Sequence, residues 1–314
     1  MSLISSTLGR FVPKYRTLAQ WEPIYAQIVA SRDIVEKTKE NRRTHRARIV
    51  TALGRRTISA IRPHEIAGLI KSIAAMQPHT ALRTLVEARD MFNEALQHGW
   101  VDTNPAVPVK LPRVRVARER LSFDQWQRIH DHSDACSPPW VSRMLVLALV
   151  TGQRRGDLRK MRFSDVCDEH LRVEQQKTGA RLELPLDLQL GVIGVSIREA
   201  IESCRGYAPL DADGDGYLLR KTTGGPLVGA SLSWRFEQAR EGALPPHSGK
   251  GAPPSLHECR SLAERLYREQ GINTMILLGH SRQAMTDMYN RDRGLSRRAG
   301  KWKRLVLGVP PTSV

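Results

Sequence analysis

Apolar residues recur at helical spacing through the first hundred positions of this chain. Leu18, Trp21, Tyr25, Ile28 and Val29 form one stripe, and Ile66, Leu69, Ile70 and Ile73 form another. A third runs from Ala81 to His98 through Leu82, Leu85, Val86, Ala88, Phe92, Ala95 and Leu96, and Gly99 stops it. Intervals of three and four residues turn one face of each helix toward a shared core. Residues 1–112 therefore read as a small all-helical domain. Asn104-Pro105-Ala-Val-Pro108-Val-Lys-Leu-Pro112 interrupts the pattern, because each proline pushes its predecessor out of the helical region.

The pattern after residue 120 is mixed. Ser122-Phe-Asp-Gln125 has the form of a capping box that starts a helix, and the apolar run from Met144 to Val150 suits a buried one. Leu171-Arg-Val-Glu-Gln-Gln and Arg181-Leu-Glu-Leu-Pro-Leu alternate like two strands of a hairpin about Lys177-Thr178-Gly179. A short strand is expected at Tyr217-Leu-Leu-Arg220, helices near 229–240, 255–268 and 281–289, and a basic strand at Lys301-Trp-Lys-Arg-Leu-Val-Leu307. The fold class is mainly α with a small β-sheet (α+β): a helical domain at 1–112, a linker at 113–120 and a second domain at 121–314.

At 314 residues and 40% hydrophobic content the chain can bury two cores. Its net charge of +17 points to a polyanionic partner, without separating an enzyme from a DNA-packing protein. The basic residues are bunched. Arg42, Arg43 and Arg46 lie in a first cluster, and Lys110, Arg113, Arg115 and Arg118 in a second along the linker. Both are candidates for phosphate contact. No apolar run reaches 18 residues and no signal-peptide core is present, so neither membrane nor export is indicated. The four cysteines, at 136, 167, 204 and 259, are far apart, without a zinc pattern, and read as reduced thiols of a cytoplasmic protein. Asp211-Ala-Asp213-Gly-Asp215-Gly216 opens like a calcium loop, but its twelfth position is Thr222 rather than a bidentate glutamate, so it reads as an acidic turn.

The candidate chemistry lies in six residues: Arg154 in Thr-Gly-Gln-Arg-Arg-Gly-Asp-Leu, Lys177 in Gln-Lys-Thr-Gly, His257 and Arg260 in His-Glu-Cys-Arg, His280 in Leu-Leu-Gly-His, and Tyr289 nine residues later. Taken singly, each string is ordinary: a turn, a solvated helix face, a helix end, a half-buried tyrosine. Taken in this order and spacing they resemble the tyrosine recombinases, the phage-integrase family of DNA-breaking and DNA-joining enzymes. The flanking text is most similar to integrases of lambdoid temperate phages.

The resemblance implies the division of labour. Arg154 and Arg260 can grip phosphate oxygens in bidentate forks and meet the charge that develops at a phosphorane-like transition state, with no metal or other cofactor. Tyr289 is the implied nucleophile, leaving a 3′-phosphotyrosine and a free 5′ hydroxyl, while Lys177 and the two histidines handle protons. His257 and Arg260, three apart, share a helical face. The helical domain resembles the core-binding domain that grips double-stranded DNA attachment sites. The implied assembly is a homo-tetramer passing through a Holliday junction, integrating or excising a phage or mobile element in a bacterial host, beside its nucleoid. A host DNA-bending protein and a directionality factor are partners the family admits. About 15 residues precede the first helix, too few for the arm-binding domain of larger phage integrases, so either arm sites are unused or the sequence is part of a longer one. Alternatives are a chromosome-dimer resolvase or type IB topoisomerase-like enzyme, and a catalytically idle DNA-binding protein on the same fold.

Overall fold

The computed structural model describes residues 16–113, 119–211, 214–247, 252–280 and 303–304. The chain divides into two compact units, Met1–Val116 and Ala117–Val314. Mainly helical with small sheets, it has the expected fold class.

In the first unit α1 (Leu18–Ser31) starts at Thr17, whose hydroxyl and Gln20 form a reciprocal capping box. Next come α2 (Glu36–Leu53), α3 (Pro63–Ala74) and the long α4 (Pro78–Gln97). Proline opens both α3 and α4, where its missing N–H costs nothing. The three apolar stripes meet as expected: Leu18, Trp21, Tyr25, Leu85, Met91 and Phe92 are wholly buried. Polar over its first three turns, α2 has no such stripe along its full length. It buries Ile49, Leu53 and, unusually, Arg46.

The second unit opens with α5 (Phe123–Cys136), capped by Ser122 and Gln125 as expected. Its centre is α6 (Trp140–Thr151), buried along almost its whole length, followed by the single turn α7 (Arg155–Leu158). The sheet joins β1 (Val166–Cys167), β2 (His170–Glu174) and β3 (Arg181–Pro185) in antiparallel order, and β8 (Lys303–Arg304) adds to β3 in parallel. Leu171, Val173, Leu182 and Leu184 turn inward, the alternation expected of a half-buried hairpin. Around it lie the small ladder of β4 (Gln189–Leu190) and β5 (Val195–Ser196), α8 (Ile197–Glu202), the ladder of β6 (Arg220–Lys221) and β7 (Gly224–Pro226), α9 (Gly229–Ala243), α10 (His257–Glu269) and α11 (Thr274–Leu277). The helix expected at 281–289 lies outside the described residues.

One local expectation is corrected. Tyr217–Arg220 is not one strand: Tyr217 makes a lone bridge to Arg162, and the ladder begins only at Arg220. The backbone here is engaged elsewhere, Leu218 N–H donating to Met161 O (2.8 Å) and Arg220 N–H to the Tyr207 hydroxyl (2.6 Å). The Arg220 side chain points inward and donates to the carbonyls of Cys204 (2.7 Å), Arg205 (2.6 Å), Ala208 (2.6 Å) and Pro209 (2.9 Å), gathering the preceding loop around one guanidinium. Along the expected 301–307 strand, the described part is the pair Lys303–Arg304, set against Leu182 and Glu183. The acidic turn serves Arg162, whose guanidinium donates to Asp211 and Asp215 at 2.8 Å each. Burial alone would raise the Asp215 carboxyl, but the N–H of Gly216, the Arg162 guanidinium and Ser164 together bring it down to about 2.

Arg220→Leu strips several buried carbonyls of their donor at about 1–3 kcal/mol each. The expected loss of at least ~3 kcal/mol lowers the melting temperature by roughly 6–12 °C; calorimetry showing no shift would contradict this account. Because the folded Asp215 pKa lies below its unfolded value, its contribution is present above about pH 4 and lost as pH falls through about 2. Asp215→Asn should therefore melt below the parent at pH 7, with the gap closing near pH 2.

Candidate active site

Three backbone turns converge in the second unit. The first ends α6 at Gly152, which takes a left-handed φ of +62°. A Cβ there would stand 3.1 Å from Leu278 Cδ2 and 3.6 Å from Ala263 Cβ, so glycine lets the helix end seat against α10 and α11. Two residues on, Arg154 caps α7, half buried. The second turn is the hairpin between β2 and β3, closed by Gly179 N–H to Gln175 O (2.8 Å) and carrying Lys177 exposed at its tip. It is fastened to α7 by the Gln176 N–H, which donates to Asp157 Oδ1 at 2.8 Å. The third turn follows α11 through Leu278, Gly279 and His280.

Arg260 closes the constellation from α10. Only 1% exposed, its guanidinium donates from Nη1 to Gly152 O (2.9 Å) and from Nη2 to Leu278 O (2.5 Å), and Nη2 lies 3.2 Å from His280 Nε2. A guanidinium has no lone pair to offer, so Nε2 accepts in that contact. The imidazole is itself buried, its backbone N–H bonded to Met275 O. His257 opens α10 one turn ahead of Arg260 and is exposed, whereas Arg260 is buried. Arg154, Arg260 and His280 thus share one network, Lys177 rides on the hairpin attached to it, and Tyr289 lies outside the described residues.

Residues that sequence reasoning passed over hold this network together. The Gln175 amide accepts from Arg154 Nη1 (2.7 Å) and Thr178 Oγ1 (2.8 Å), and donates to Gln153 Oε1 (2.7 Å) and Leu278 O (3.0 Å). Gln153 in turn donates to the carbonyls of Thr151 and Leu277 at 2.9 Å each. A signal was available. Positions 171, 173 and 175 share the inward phase of one strand, and a glutamine continuing two apolar residues into a core needs polar partners there.

The chain matches the phage integrase family over residues 119–294 and the phage integrase central domain over residues 24–111. Prophage integrase IntE of Escherichia coli (strain K12) is 37% identical, covering 97% of this chain and 80% of its own length. The chain belongs to the phage integrase family. The integrase of Escherichia phage lambda is 33% identical over 88% of this chain and 77% of its own. Among solved structures, a lambda integrase dimer bound to a COC′ core site superposes with a TM-score of 0.82 at 32% identity, covering 91% of this chain and 99% of that one. A lambda integrase tetramer bound to a Holliday junction gives 0.83 at 32% identity, covering 90% of this chain and 80% of that one. The lambdoid resemblance read from the six strings is borne out.

The basic clusters divide. Arg43, Lys110 and Arg113 are exposed, and Arg115 and Arg118 lie outside the described residues. Arg42 and Arg46 turn inward instead: Arg42 pairs with Glu87 (3.0 Å) and Asp90 and donates to the Tyr25 hydroxyl (2.6 Å), while Arg46 pairs with Glu22 (2.5 Å). Burial, with Glu87 and Asp90 adding to it, pushes that phenol far above its usual range. No helix among the described residues is long and apolar enough to cross a membrane.

Gly279, at φ +63°, is closely faced: a Cβ would lie 3.0–3.1 Å from the Gln175 amide, tighter than an ordinary contact. Gly279→Ala is expected to cost about 1–3 kcal/mol in stability from its backbone conformation alone. A denaturation curve superimposable on that of the parent would show that this turn relaxes freely.

Proposed function

We propose that this protein is a site-specific DNA recombinase that integrates or excises a phage or mobile element by cutting and rejoining strands through a covalent tyrosine link. The observation that carries the reading is the shared network of Arg154, Arg260 and His280 beside the Lys177 hairpin, in a chain of this family. Two guanidiniums fixed before substrate arrives can stabilise the extra charge of a pentavalent phosphate without reorganising. Lys177, exposed at its turn, protonates the departing 5′ oxygen in this reading, and His257 and His280 serve proton transfer and orientation. Tyr289 attacks, and its phosphoester stores the bond energy for joining. The substrate is double-stranded DNA at paired attachment sites. Strand exchange runs through a Holliday junction on a tetramer, aided by a host DNA-bending protein and a directionality factor, in the bacterial cytoplasm beside the nucleoid. Of the basic residues, Arg43, Lys110, Arg113, Arg115 and Arg118 serve phosphate contact, whereas Arg42 and Arg46 are taken up by acidic partners within the first unit.

The test is a set of nicked duplexes tiled across the DNA that flanks the protein's own gene, incubated with parent and Tyr289→Phe protein and run on a denaturing gel. A covalent protein–DNA band formed by the parent alone is expected; DNA binding by both proteins with no band from either would point to an idle binding protein. Arg154→Ala should slow band formation at least about 100-fold. Lys110→Ala and Arg113→Ala should each flatten the log–log salt dependence of binding by about 0.9 for every phosphate that is no longer neutralised. An unchanged slope in both variants would assign these two side chains to solvent.

A further inference from the structure

The proposed chemistry needs two cations at a set spacing, and neither Arg154 nor Arg260 sets that spacing itself. Between them lies the amide of Gln175, fully buried at the end of the β2 strand. Its oxygen takes Arg154 Nη1 and Thr178 Oγ1, and its nitrogen serves Gln153 Oε1 and Leu278 O. These four bonds use two acceptor and two donor places, the whole capacity of a side-chain amide. Leu278 O also takes Arg260 Nη2 at 2.5 Å. The path from one guanidinium to the other is therefore Arg154, Gln175, Leu278 O, Arg260, and Lys177 is two residues along the chain from its midpoint. Gly279 leaves the amide its room, since a Cβ there would stand 3.0–3.1 Å from it.

We infer that Gln175 is a positioning residue for strand cleavage: it fixes the separation of Arg154 and Arg260 and ties both to the Lys177 turn, without touching DNA. The inference rests on the recombinase reading above. It also explains why an amide is used. A glutamate would hold Arg154 equally well, but its charge would offset that of the guanidinium meant for the phosphate, and it would face Gln153 Oε1 and Leu278 O with no hydrogen to give. Methionine would fill the same volume and make none of the four bonds.

The experiment compares parent, Gln175→Met and Gln175→Glu on the nicked duplex that gives the parent its covalent band, measuring melting temperature, equilibrium binding of the uncleaved duplex, and single-turnover cleavage at saturating protein. The expected result is binding within about twofold of the parent and cleavage slowed roughly 100-fold in both variants, the size of effect that a misplacement of about 1 Å can have on a reacting centre. A residue that only supports the fold would move binding and cleavage together through the folded fraction, and would leave the rate at saturation unchanged. If Gln175→Met does not fold, Gln175→Glu decides, since it keeps the shape and the Arg154 contact. Cleavage within threefold of the parent by a folded variant overturns the inference, as does failure of both variants to fold. A parent that forms no band on any duplex overturns the recombinase reading itself, a result distinguishable from either.

Discussion

Two positive side chains brought into one buried network repel each other, and the second unit is arranged to live with that repulsion. The Arg260 guanidinium is 1% exposed and lies on the backbone oxygens of Gly152 and Leu278, while Arg154 lies on an amide oxygen. Neutral oxygens satisfy the N–H groups yet leave the positive charge largely in place, whereas carboxylates would satisfy and cancel it together. That choice of partner dictates the surrounding architecture. Carbonyls inside a helix are taken up by its own hydrogen bonds, and both of these carbonyls sit where α6 and α11 run out.

The opposite choice is made in the first unit. There Arg32, Arg42 and Arg46 meet Asp90, Glu94, Glu87 and Glu22 between α1, α2 and α4, with the Tyr25 hydroxyl bonded to Glu87 (3.0 Å) and Asp90 (2.6 Å). Paired charges of this kind add little net free energy over an apolar interior. They do explain how α2, a helix without an apolar stripe, finds a defined place on α4.

Much of this was legible in the residues. The three apolar stripes, the Ser122 capping box and the Lys177 hairpin appear in the structure because period and end signals are local properties of the chain. The six-string pattern likewise led to the right family. What could not be read was the use of polar side chains inside. Arg42 and Arg46 look in sequence like their neighbour Arg43, and only acidic residues distant in the chain, Glu87 and Asp90 of α4 for Arg42 and Glu22 of α1 for Arg46, decide that two turn inward and one does not. The inward turn of Arg220 was hidden for the same reason, its partners being loop carbonyls that carry no side-chain signature. Gln175 left a fainter trace, a polar residue in an inward phase.

The double character of α2 has an electrical consequence. Arg43 faces water, where a salt concentration near 0.15 M confines its field to about 8 Å. Arg46, one turn along, is buried against Glu22, and mobile ions screen such a pair far less. Ionic strength therefore acts on one side of this helix and hardly reaches the other, so a polyanion held on the outer side would be released in rising salt while the interior of the unit stays assembled.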